Sequence, residues 1–137
     1  FASQPGEVVN YVENHDNQTL FDLLTLKLPA DTPSAERARV QVLGLALTAF
    51  SQGVAYFHAG SDTLRSKSLD RNSYDSGDWF NAAHWNCATG NGFGRGLPPA
   101  WSNQAQWPYA RPLLADPGLV PGCAVTAATR SSREPLL

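Results

Sequence analysis

Cysteine is scarce. Cys87 and Cys123 are the whole complement, so neither a disulfide framework nor a zinc cluster can be read from spacing. Two unpaired thiols in a packed intracellular domain are the expectation. Charge of one sign does not accumulate either. Lys and Arg number 10, Asp and Glu 12, and the net charge is −2 with no run of like residues. Nothing there invites nucleic acid or an anionic membrane. Long hydrophobic runs are also missing. The longest, Val42 to Phe50, is too short and too interrupted to span a bilayer. No charged leader, apolar signal core or transit-like stretch opens the chain, which starts at Phe1 in what reads as folded sequence. A piece of a longer polypeptide is the expectation.

What is there is a 42% hydrophobic chain of 137 residues, enough for one domain with a core. Val8, Val9, Tyr11 and Val12 follow the turn signal Pro5-Gly6 and read as a buried strand ending near Glu13. Asn17 can cap a helix over about 18–26. A second helix is expected from Pro33 to Ser51, with Thr32 as N-cap and Gly53 as the stop. Val40, Leu43, Gly44, Leu47 and Phe50 lie on one face of it. Val54 to Ala59 then reads as a strand buried on both faces. Strand, helices and strand make a βαβ-type unit with a crossover long enough for parallel pairing. From Ser61 onward the sequence reads mostly as loop, rich in Gly, Pro, Asn and Trp.

His15 and Asp16 stand just after the first strand, where functional residues of parallel α/β folds collect. An aspartate can stabilise positive charge or grip neighbouring hydroxyls. A histidine beside it can donate a hydrogen bond to another. The pair suits a polyol, and equally an ordinary turn in which Asn14 and Asn17 cap backbone groups. Trp79, Trp85, Trp101 and Trp107 lie in the loop-rich half with Tyr74, Phe80, Phe93 and Tyr109. Such rings stack on sugar faces, and they also pin long loops. "GNGFGRG" neither follows a strand nor opens a helix, so it is not a dinucleotide fingerprint. Asn17-Gln18-Thr19 matches a glycosylation sequon, a triplet that is common by chance.

"GEVVNYVENHDNQTLFD" resembles the segment around the third active-site carboxylate of pullulanases and limit dextrinases, debranching members of the α-amylase superfamily of glycoside hydrolases. "FHAGSDTLRSKSLDRNSYDSGDWFN" resembles the stretch after the eighth barrel strand of the same enzymes. "GFGRGLPP" and "QWPYARPLLADP" are similar to the plant limit dextrinase form. The resemblance implies the C-terminal portion of a (β/α)8 TIM barrel, from about the seventh strand to the loop after the eighth, incomplete as a fold. It assigns 1–122 to a partial catalytic barrel. Residues 123–137 have no match and are expected to be disordered.

The resemblance also implies cleavage of α-1,6-glucosidic bonds in branched α-glucans, with retention. Retention needs a nucleophile and an acid about 5 Å apart. In the family these come from elsewhere, so the chain alone is expected to be inactive. Asp16 matches the transition-state-stabilising carboxylate, and His15 a substrate-binding neighbour. Arg71 and Asn72 match a pair lining the pocket, although the family usually has aspartate where Asn72 stands. Tyr74 and Trp79 complete the expected substrate-binding set. No cofactor is assigned. Some family members bind calcium, but no ligand set is readable here. A plastid location follows from the plant-like motifs alone. Two other readings stay open: a non-catalytic sugar-binding protein using the tryptophan loops, and a His-Asp metal phosphohydrolase.

Overall fold

Among the described residues, the strands comprise only four positions. In the computed structural model, which describes residues 1–133, β1 (Val9–Asn10) lies parallel to β2 (Val54–Ala55), with Val9 opposite Val54 and Asn10 opposite Ala55. The other regular elements are helices: α1 (Leu20–Lys27), α2 (Ser34–Phe50), α3 (Asp78–Asn81), α4 (Ala100–Asn103), α5 (Trp107–Leu114) and α6 (Cys123–Arg133), with short 3-10 turns and irregular loops between. This corrects the expected fold class. The chain forms a small helical unit with one two-stranded ladder, not a portion of a (β/α)8 barrel. Neither strand is buried as expected, for Val9, Tyr11, Val12 and Val54 are exposed. Each strand has one neighbour only among the described residues, and the Val54 N–H donates to the Val8 carbonyl at 2.8 Å and the Tyr56 N–H to the Asn10 carbonyl at 2.9 Å.

Thr19, not Asn17, caps α1; its hydroxyl accepts the Asp22 N–H at 3.2 Å. Asn17 instead takes a left-handed φ of 57° in the turn before it. The periodicity of α2 left its rotation open, and the structure supplies it. Arg37, Ala38, Gln41, Leu45 and Thr48 face inward, while Leu43, Leu47 and Phe50 are 60%, 62% and 74% exposed. Two of the inward polar side chains, Arg37 and Gln41, have bonds to make there. Gln41 Nε2 donates to the Ser61 carbonyl at 2.6 Å. Arg37 donates to the carbonyls of Leu24, Pro29, Ala30 and Thr32 at 2.7–3.3 Å, tying the end of α1 to the start of α2.

The core sits under loops. Phe21, Ala38, Leu64, Leu69, Phe93, Ala110 and Leu119 form it, with Phe21 and Phe93 edge to face at 5.7 Å. The 64–69 segment is buried except at half-buried Arg65, although Leu64, Ser68 and Leu69 all have positive φ. Asn91 Nδ2 donates to the Leu64 carbonyl at 2.6 Å, and the Ser66 N–H donates to the Asn91 carbonyl at 2.8 Å. Gly92 permits this approach, since a Cβ there would lie 2.4 Å from the Ser66 oxygen.

The C-terminal stretch also differs from its expectation. In place of a disordered tail from Cys123, α6 packs against α2 and the 61–63 turn. Its alanines (Ala124, Ala127, Ala128) and arginines (Arg130, Arg133) favour helix, and the first turn bonds back to the Gly122 carbonyl. The expectation for residues 134–137 lies outside the described residues. The two cysteines are not free thiols, because Cys87 and Cys123 form a disulfide with Cα atoms 5.8 Å apart. Residues 36 apart in sequence meet only once α6 is in place, which local spacing cannot reveal.

Candidate functional site

Glu13 ends the first extended segment and turns inward. Its carboxylate accepts the Leu20 N–H at 2.6 Å and the Ser61 hydroxyl, with His58 Nδ1 3.9 Å away. One buried side chain thus joins the start of α1 to the segment after β2. The next four residues are forced into an exposed turn. Asn14 Oδ1 accepts the Asp16 N–H at 2.8 Å, and Asp16 Oδ1 accepts the Asn17 N–H at 3.0 Å. The turn is capped by the side chains of Asn14, as expected, and of Asp16 in place of Asn17, and it holds His15 and Asp16 at the surface.

Beneath the turn lies a buried polar cluster. Asp22 is sealed from solvent and accepts the Ser66 hydroxyl and the Lys67 N–H, the latter at 2.8 Å. Burial pushes its carboxyl up to about 6, against the pull of these bonds. Lys67 Nζ donates to the His15 carbonyl at 3.2 Å. Burial lowers the Lys67 pKa, and Asp22, Asp70 and Asp16 oppose that shift.

The opposite wall hangs from Asp70. Its Oδ1 accepts the Asn72 N–H at 2.9 Å and Asn103 Nδ2 at 3.0 Å, and its Oδ2 accepts the Ser76 hydroxyl at 2.6 Å. Asn103 Oδ1 accepts the Arg71 N–H at 3.0 Å. Asn81 Nδ2 donates to the carbonyls of Ser73 and Gly77 at 2.7 and 3.0 Å, closing the 73–81 loop.

Between the walls is a cavity of about 320 Å³ lined by His15, Asp16, Asn72, Ser73, Tyr74 and Asn81. Four of the six residues expected from sequence meet there, across 59 positions of chain (74 less 15). Arg71 and Trp79 are not among the lining residues. Trp79 is 65% exposed; its Nε1 donates to the Arg95 carbonyl at 2.9 Å, and the Arg95 guanidinium lies 5.6 Å above its ring. Tyr74 is 93% exposed at the rim. Asp16 is the one acidic lining residue among those described. Chemically, the cavity offers one carboxylate, one imidazole, two amides, a serine and an aromatic ring. That set is matched to hydroxyl-rich ligands.

Sequence reasoning missed Ser73 and Asn81 in the lining, and the supports Glu13, Asp22, Lys67 and Asp70. Lys67 stood inside the quoted "LRSKS", yet nothing in spacing says that a lysine will be buried. Among the described residues, no group of three or more His, Cys, Asp or Glu is placed to hold a metal ion.

Comparison with known proteins then places the chain. The family described as alpha-1,6-glucosidases, pullulanase-type, C-terminal, matches residues 88–137. That C-terminal match reinforces the correction to the expected barrel fold. Pullulanase 1, chloroplastic, of Arabidopsis thaliana is 47% identical over 129 residues, covering 94% of this chain and 13% of that protein. The pullulanase of Klebsiella pneumoniae is 41% identical over 121 residues, covering 86% of this chain and 11% of its own length. The crystal structure of the Klebsiella pneumoniae enzyme complexed with maltotriose superposes with a TM-score of 0.91 at 34% identity, over 98% of this chain and 13% of that one. The chain therefore spans about an eighth of the relatives it matches. On this evidence it belongs to the pullulanase-type α-1,6-glucosidase family.

Proposed function

We propose that the chain supplies a glucan-holding site to a starch-debranching hydrolase that cleaves α-1,6-glucosidic bonds with retention. The observation that carries this reading is the single cavity joining His15 and Asp16 to Asn72 and Tyr74. Asp16 is assigned to the ring hydroxyls of the sugar at the cleavage point, where its charge favours the oxocarbenium-like transition state. His15 donates to the same sugar, Asn72 offers its amide, and Tyr74 stacks on a sugar face. Arg71 and Trp79 are assigned outer contacts with a longer glucan. Maltotriose, present in the Klebsiella pneumoniae complex, is the first ligand to try.

Retaining hydrolysis needs two carboxyl groups about 5 Å apart, and Asp16 is the one acidic side chain among the described lining residues. Residues 1–137 alone are therefore assigned binding without turnover. Isothermal titration of this chain with maltotriose tests the reading, alongside a reducing-sugar assay on pullulan. Saturable binding that Tyr74→Ala weakens about tenfold, with no sugar released, supports it. Turnover that persists through repurification, or no binding at all, contradicts it. A plastid location is proposed from the chloroplastic Arabidopsis relative; immunoblotting of purified chloroplasts tests it.

The exposed rings of Tyr74 and Trp79 also favour a second reading, a sugar-binding protein without catalysis. It predicts that Asp16→Asn leaves affinity and every activity of a complete enzyme unchanged.

A further inference from the structure

Lys67 is 1% exposed. A buried ammonium is costly unless a partner compensates it. Among the described residues no carboxylate oxygen lies within 4.0 Å of Nζ, since no ion pair includes it. Its hydrogen bond goes instead to the backbone carbonyl of His15, at 3.2 Å across 52 residues. Its own N–H is held by Asp22, so the lysine is fixed at both ends. Asp22, Asp70 and Asp16 attract the ammonium, and Arg65 repels it. The only other lysine, Lys27, is exposed at the end of α1.

We propose that Lys67 is the positioning residue of the His15–Asp16 turn. Its ammonium anchors the His15 carbonyl from below and sets both side chains against the cavity. The turn's other bonds are local and exposed: Asn14 to Asp16 and Asp16 to Asn17. They shape it without fixing it to the rest of the molecule. Lys67 makes that connection, bridging the 64–69 core segment and the site. The assignment rests on the glucan reading of the cavity only for its consequence, which is sugar affinity. The placement of the turn is a separate matter.

The test compares wild type, Lys67→Met and Lys67→Arg in the 137-residue chain. Hydrogen exchange by mass spectrometry follows a peptide over 13–19 and a control peptide in α2. Maltotriose affinity is measured on the same samples. In Lys67→Met, exchange over 13–19 should rise at least tenfold while the α2 peptide stays within twofold, and maltotriose affinity should fall about tenfold. Lys67→Arg, which keeps the cation, should recover most of both. Unchanged exchange over 13–19 in Lys67→Met overturns the proposal. So does loosening shared equally with α2, which is the mark of a merely structural residue. If Lys67→Met does not fold, amine acetylation of wild type decides: Lys67 should react at least 100-fold more slowly than Lys27, and equal rates overturn the proposal. A wild type that binds no maltotriose, combined with selective loosening of 13–19, sinks the glucan reading and upholds the role of Lys67.

Discussion

Asp22 is a carboxylate without solvent, held by Ser66 and Lys67. Its folded pKa of about 6 lies above its ordinary value of 3.8, with desolvation as the largest cause. A group raised in this way contributes stability that is complete below the unfolded value and is lost as pH rises through the folded one. The window is therefore about pH 4 to 6, and the loss is on the order of 3 kcal/mol. Chemical denaturation of wild type and Asp22→Asn at pH 3.5 and pH 7 reads it. The stability of wild type relative to the variant should be greater at pH 3.5, by a few kcal/mol. A difference that is constant with pH contradicts the assignment. At this scale the sequence was a partial guide. The doublet His15-Asp16 announced itself by standing polar after an apolar run. Asp22 did not, because an aspartate in the first turn of a helix usually faces water, and only the tertiary fold brings the 64–69 segment over it.

The α1–α2 pair depends on Arg37 more than on its apolar stripe. Four carbonyls converge on this guanidinium. Burial lowers its pKa, with Asp116 and Asp31 opposing. Hydrogen bonds from a charged donor contribute roughly 1.5–3 kcal/mol each, with strong non-additivity. Arg37→Ala should therefore cost about 2–4 kcal/mol in urea unfolding, whereas Leu47→Ala on the exposed face should cost less than about 1 kcal/mol. The reverse ranking would show that the apolar stripe, not Arg37, holds the pair together. The reading from periodicity was sound about the existence of α2 and its length to within a residue or so. It left the rotation open, because 3.6-residue spacing identifies a face but does not say which face the neighbours bury.

For the molecule as a whole, two long-range features organise what the sequence presents as loop. One is the 64–69 segment clamped by Asn91 and Gly92. The other is the Cys87–Cys123 disulfide, which fastens the loop before Gly90 to the start of α6. Closing a loop of this length removes chain entropy from the unfolded state worth roughly 3–4 kcal/mol. Reduction, or Cys87→Ser with Cys123→Ser, should lower the melting temperature and release α6 first, seen as faster exchange over 123–133. Unchanged melting on reduction would show that the bond adds nothing. The parallel pairing of β1 and β2 was legible from the long crossover. The barrel portion was not what formed, since two-residue strands with exposed Val9 and Val54 build no such layer.

The central claim is that Asp16 holds sugar as charge develops on it. The direct measurement is steady-state kinetics on pullulan, in a chimaera where this segment replaces the matching one of the Klebsiella pneumoniae pullulanase. Contacts that strengthen in the transition state affect kcat more than KM. Asp16→Asn should lower kcat by a factor on the order of 100 or more with KM within about threefold. His15→Ala, which loses a neutral hydrogen bond, should fall between that variant and wild type. An Asp16→Asn enzyme with unchanged kcat and a raised KM would contradict the account, leaving Asp16 a ground-state contact and nothing more.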